Sequence, residues 1–159
     1  VCQVEEADII VLAKSTGVLE FTTGTYGQEI CVDSIIKGNE WIDENETCWI
    51  WRSYGMEVMD GQIVYRNVLN LMQDDGTYLV FLNSNQLNQY RTEKEFQTAS
   101  EYFGYLPIEG AKVQPIKENQ RNVLYKEWSE IPVFISSEKV AAAWNEIAEM
   151  LLNKFEPDA

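Results

Sequence analysis

The chain contains no histidine. That removes the Ser-His-Asp and Cys-His catalytic sets and every zinc site that uses an imidazole. Carboxylate, Ser-Lys and tyrosine chemistry stay open. Basic residues are scarce as well: 12 Lys and Arg stand against 26 Asp and Glu, for a net charge of −14. Nucleic-acid binding relies on Lys and Arg that neutralise phosphates, and the few bases here are scattered, so nucleic acid is disfavoured as a partner. Anionic membrane surfaces are disfavoured on the same ground. Long apolar runs are missing too. The longest, Ile9-Ile10-Val11-Leu12-Ala13, falls far short of the roughly 20 residues that a spanning helix needs. No phosphate-binding glycine loop is present.

Cysteine is sparse. Cys2, Cys31 and Cys48 form an odd set without a C-x-x-C pair, which makes a poor zinc site. In an exported protein the simplest state is one disulfide and one leftover thiol; in a cytosolic one all are reduced. Cys2 as a lipid-attachment point is opposed by Val1, because a mature lipoprotein begins with the modified Cys. The chain opens without Met, a charged n-region or an apolar h-region, and so reads as processed or trimmed.

What is present is a core. Forty-five per cent of the 159 residues are hydrophobic and 12% aromatic, enough apolar surface for one domain of common size and too much for disorder. No internal repeat or linker divides residues 1–159, so one domain is expected. Residues 7–21 read as a long strand rich in β-branched residues, with Gly17 as a bulge or bend. Thr22 to Gly27 reads as a loop, Glu29 to Ile36 as a second strand, and Cys48-Trp49-Ile50-Trp51 as a third. Gln62 to Tyr65, Thr77 to Leu82, Val123 to Trp128 and Ile131 to Ile135 are further strands. Thr92 to Phe103 reads as a turn of helix or an irregular excursion. Val140, Ala143, Trp144, Ile147, Ala148, Leu151, Leu152 and Phe155 repeat at helical spacing, which predicts an amphipathic helix at about 137–155. Ser136 or Ser137 caps its start and Pro157 cannot continue it.

If the second and third strands form a hairpin centred on Gly38-Asn39, Cys31 lies opposite Cys48 within disulfide reach. Two buried free thiols are the alternative, and a longer loop over Glu40 to Glu46 shifts the register. Trp41, Trp49, Trp51 and Tyr54 form the aromatic group of most interest. Exposed, they make a stacking platform for sugars or a hot spot for a protein partner; buried, they are core, which is the default for large aromatics.

Other motifs are weaker. Ser34-Ile35-Ile36-Lys37 and Ser136-Ser137-Glu138-Lys139 match S-x-x-K, but neither is accompanied by S-D-N or K-T-G. Asp74-Asp75-Gly76 lacks the later ligands of a calcium loop. Asp43, Glu44 and Glu46 read as a solvated acidic run or a divalent-cation site, and Asn45-Glu46-Thr47 fits a glycosylation sequon.

Three stretches occur in a telling order: Ala7-Asp8-Ile9-Ile10-Val11-Leu12-Ala13-Lys14, Val32-Asp33-Ser34-Ile35-Ile36-Lys37-Gly38, and Gly76-Thr77-Tyr78-Leu79-Val80-Phe81-Leu82. The succession resembles the OB-fold barrel of tissue inhibitors of metalloproteinases and netrin-like domains. It is also similar to secreted or lipid-anchored Gram-positive bacterial proteins of unknown function. The resemblance covers about half the chain, and it implies a Greek-key barrel outside the cytoplasm. Those inhibitors begin with a Cys whose amine and carbonyl bind a catalytic zinc. Here Cys2 follows Val1 and the dense disulfide framework is missing, so no functional residue carries over.

The sequence therefore predicts a mainly β fold with a C-terminal helix, an OB-like Greek-key β-barrel. The expected role is a non-enzymatic, extracellular or cell-surface binding module, without a cofactor, held by a lipid or other anchor upstream of Val1. Its partner would be a protein or a cell-wall glycan. The rivals are an inhibitor or regulator of a secreted enzyme, and an enzyme using carboxylates or a Ser-Lys pair.

Overall fold

A computed structural model describes residues 2–22, 25–53, 56–59, 62–65, 72–73, 76–84, 93–100, 103–109, 123–124 and 138–155. Its longest elements are β1 (Ile9–Thr22) and β2 (Thr25–Lys37), an antiparallel pair. The expected loop from Thr22 to Gly27 is mostly strand: the ladder runs out to Thr22 opposite Thr25. Gly17 marks a bulge, as its place in the strand implied. Thr16, Gly17 and Val18 stand against Glu29 alone, between the pairs Ser15–Ile30 and Leu19–Gln28. Gly17 sits at φ 86°, a left-handed conformation that suits glycine, and its N–H donates to Ser15 Oγ at 3.1 Å.

β3 (Thr47–Ser53) pairs antiparallel with β2, and β7 (Lys94–Thr98) pairs parallel with β3. β6 (Thr77–Asn83) pairs with β7 on one edge and with β1 on the other, so β1-β2-β3-β7-β6 closes into a ring. The closed ring removes sheet edges that would otherwise seek partners. β8 (Tyr105–Pro107) extends the β6 edge beyond β7. A separate small sheet joins β4 (Met56–Met59), β5 (Gln62–Tyr65) and β9 (Val123–Leu124). The stretch from Thr92 to Phe103, expected to be helical or irregular, thus contributes a ring strand. Its side chains gave no warning, because a parallel pair has no turn to announce it.

The register places Val32, Ile30, Cys48, Ile50, Phe96, Val80 and Leu82 on one face of the ring, and all are buried. β6 is buried on both faces, which explains its unbroken run from Tyr78 to Leu82. Its second face is covered by α2 (Glu138–Lys154), where Ala141, Trp144, Ala148 and Leu151 join the core. Just past that helix the Phe155 ring lies 5.6 Å from that of Phe81, and Trp144 stacks on Phe103 at 5.6 Å. Each such large apolar side chain contributes about 1.5–3 kcal/mol when fully buried. A short α1 (Cys2–Glu5) lies near the end of α2 through the Lys154–Glu5 ion pair at 3.0 Å. Asp8 ties the start of β1 to the end of β6 by accepting from the Ser84 N–H and Oγ. Those bonds, the main-chain one first, hold its carboxyl below the ordinary value.

The interior is polar toward one end. Gln28, which faces inward, donates to Met72 O at 3.0 Å and to Ser15 Oγ at 3.2 Å, and accepts from Met72 N at 3.1 Å. Tyr78 OH accepts from Gln73 N at 2.9 Å. The Met72–Gln73 segment is thereby held by side chains that substitute for a ladder partner. Arg52, also buried, donates to Tyr105 OH at 3.2 Å.

Candidate binding loop

The connection from β2 to β3 is built on Gly38. Its φ is 103°, and a Cβ there would lie 2.8 Å from Asp8 O and 3.0 Å from Ile9 Cα. Only a residue without a side chain lets the chain turn this close to β1. Trp41 N then donates to Gly38 O at 2.9 Å, and Ile42, only 1% exposed, is driven into the core. Asn45 takes a left-handed φ of 64°, which Asn tolerates better than most residues. Its N–H donates to Val32 O at 2.8 Å while Val32 N donates to Glu46 O at 3.0 Å, closing the loop.

Lys94, from the first position of β7, locks the loop from the side. Its Nζ donates to Trp41 O at 2.8 Å and lies 3.1 Å from Glu46 Oε1 and 3.2 Å from Oε2. Glu46 Oε2 also accepts from the Asp43 N–H at 2.9 Å. The result is a short loop whose backbone is fixed at both ends and in the middle, and in which Trp41 is 40% exposed.

The four aromatic candidates are thus separated. Trp49 and Trp51 share one face of β3 as their spacing requires and stack at 6.1 Å, but they are only 5% and 9% exposed. Trp49 Nε1 donates to Glu93 Oε2 at 2.8 Å. The Trp51 ring covers Gly27, where a Cβ would come within 2.9 Å of it. The pair is structural and offers no open platform. Trp41 stands apart on the loop, and Tyr54 lies outside the described residues.

The pairing of Cys31 with Cys48 is corrected by the ladder. Cys48 faces Ile30 and Cys31 faces Thr47, one residue away from the symmetric hairpin. Both thiols are free, Cys48 buried and Cys31 half-buried with its Sγ 3.8 Å from Asn45 O. The reason is the loop: the left-handed Asn45 and the two Val32 bonds set the register, not a two-residue turn at Gly38-Asn39. Burial pushes the Cys48 thiol up to about 12, so it stays protonated at neutral pH.

The remaining motifs do not assemble chemistry. Ser34 and Lys37 lie in β2 opposite Leu12 and Ile10, on one face across a bulge at Ile36, but no S-D-N or K-T-G element accompanies them. Lys139 is exposed in the first turn of α2, and Ser136 lies outside the described residues. Asp74 and Asp75 lie outside them as well. Glu46 is engaged by Lys94, and no group of three or more Cys, Asp or Glu placed to hold a metal ion occurs among the described residues. No described helix is long and apolar enough to cross a membrane.

Sequence reasoning marked Trp41 within the aromatic group and Gly38 as a turn, but missed Lys94 and the left-handed role of Asn45, which help fix where that indole stands. A Gly and an Asn flanking a polar loop were the available signal; Lys94 had none, being 48 residues from Glu46 along the chain. Comparison with family models, curated proteins and solved structures returned no match.

Proposed function

We propose that this chain is an OB-like barrel acting as a non-enzymatic binding module, outside the cell or at its surface, whose contact residue is Trp41. The barrel reading is supported by the ring order β1-β2-β3-β7-β6, closed through β1, with β3 and β7 as its parallel pair. Such an order is the one expected of a Greek-key barrel of the kind used by small binding domains. The extracellular placement rests on the resemblance alone, since the free thiols add no disulfide to it.

The observation that carries the binding role is the exposure of Trp41 on a loop that is otherwise pinned. A large apolar ring left in water gains free energy when a partner covers it, and a rigid loop loses little entropy on binding. Among the described members of the aromatic group, Trp41 is the one that the fold leaves open, while Trp49 and Trp51 are spent on packing.

The test is retention on the immobilised chain. Surface proteins and cell-wall glycan fragments of the source organism would be passed over the wild type, a Trp41→Ala variant and a Val140→Ser variant. Val140 is exposed on α2 and serves as a distant control. A ligand held stoichiometrically by the wild type and the control, and lost from Trp41→Ala, is expected. Equal retention by Trp41→Ala would remove the reading.

A further inference from the structure

The charges around the indole indicate what it takes. Glu40 precedes Trp41, and Asp43 and Glu44 follow in the same loop; all three side chains are exposed. The neighbouring cation is already committed, because the Lys94 ammonium lies on Trp41 O and on both oxygens of Glu46. Among the described residues no ion pair engages Glu40, Asp43 or Glu44. An indole face carries the negative side of the ring quadrupole and attracts a cation placed over it. Carboxylates in the same loop strengthen that attraction and repel anions, and the net charge of −14 draws basic partners from farther out. A neutral sugar can stack on the same ring but draws no benefit from the uncompensated charge.

Resting on the reading of this loop as a docking site, we infer that its occupant is an arginine or lysine side chain of a basic protein segment. The cation lies on the Trp41 indole, with Glu40, Asp43 and Glu44 supplying the surrounding negative charge. Exposed ring, fixed backbone and one sign of charge then serve a single recognition event.

Two probes test it with the full chain: a short Arg-Gly repeat peptide without tryptophan, and chitotriose as a neutral sugar. Binding is read by calorimetry and by the fluorescence difference between the wild type and Trp41→Leu, whose unchanged melting curve certifies its fold. The peptide is expected to bind the wild type, to quench Trp41, and to weaken as salt shortens the Debye length. Affinity falls about tenfold in Trp41→Leu, and by a similar factor in the Glu40→Gln/Glu44→Gln double variant. Peptide that does not bind, or that binds Trp41→Leu as tightly as the wild type, overturns the inference. If chitotriose quenches Trp41 and the peptide does not, the cationic occupant falls while the docking loop stands. If Trp41 responds to neither probe, both fall.

Discussion

Cys48 lies opposite Ile30 across the β2–β3 ladder, which turns Cys48 into the core and leaves Cys31 on the other face of the sheet. A one-residue slip inverts every side chain of a strand. Restoring the Cys31–Cys48 pairing would bring Trp49 and Trp51 inward and expel Ile50, so burial itself opposes the disulfide.

Thiol reactivity follows from that arrangement. In native protein a water-soluble thiol reagent should modify Cys31 and leave Cys48 untouched until the chain unfolds. After denaturation without reductant both should react. Mass spectrometry of tryptic peptides would find the two cysteines joined if the register were wrong.

Cys48 also predicts a pH dependence. Its folded value of about 12 lies above the ordinary 9.0, so the folded state holds this proton more tightly than the unfolded chain. The associated stability is complete below the ordinary value and is lost as pH rises from there toward the folded value. A Cys48→Val variant lacks this ionisation. The stability difference between wild type and Cys48→Val should therefore shift against the wild type above about pH 9, by up to about 1.4 kcal/mol per pH unit. Urea midpoints at a series of pH values would measure it, and a constant difference would refute it.

Gly38→Ala should be costly. The substitution combines a left-handed φ with a Cβ pressed on the Asp8 carbonyl, which is backbone and cannot swing away. A loss of about 2 kcal/mol is expected. Chemical denaturation gives the number, and a neutral substitution would mean that the loop does not pass this close to β1.

Gln28→Ala removes the side chain that pairs with both main-chain groups of Met72. Those groups are buried, so the cost is their desolvation as well as the lost bonds, about 3 kcal/mol. Hydrogen exchange at the Met72 amide should accelerate more than at Ile50, a core strand position opposite Gln28 in the ladder.

Lys94→Met separates stability from loop order. Both partners of the Lys94–Glu46 pair are about one-third exposed, so the loss in global stability should stay under about 1 kcal/mol. Exchange of the Trp41 amide, which bonds to Gly38 O, should nevertheless rise, because Lys94 ties this loop to β7. Unchanged exchange would show that Gly38 and Ile42 hold the loop unaided.

Much of the scaffold was legible along the chain. The apolar stripe from Val140 to Phe155 announced α2, the Thr77 to Leu82 run announced a strand, and Gly17 announced a bulge or bend. These are local signals: period, composition and a residue that tolerates φ above zero. The ring closure was carried only by the resemblance, since neither the parallel β3–β7 pair nor the β1–β6 pair has a turn between its strands. The candidate site was half visible. Residue type placed Trp41 in a group with Trp49, Trp51 and Tyr54, but its exposure, beside the burial of Trp49 and Trp51, depends on which face each strand turns inward.

The sequence by itself determined the absence of imidazole chemistry, the acidic charge, the β-rich class and the final helix, because these follow from which residues are present and how they repeat. Only the tertiary structure decided the register that keeps Cys31 from Cys48, the recruitment of Lys94 to a loop 48 residues earlier, and the exposure of Trp41 beside the burial of Trp49 and Trp51. Each of these depends on which distant segments share a wall of the ring. That choice is made by burying the Ile30, Ile50 and Phe96 face as a whole, and no short window of sequence contains it.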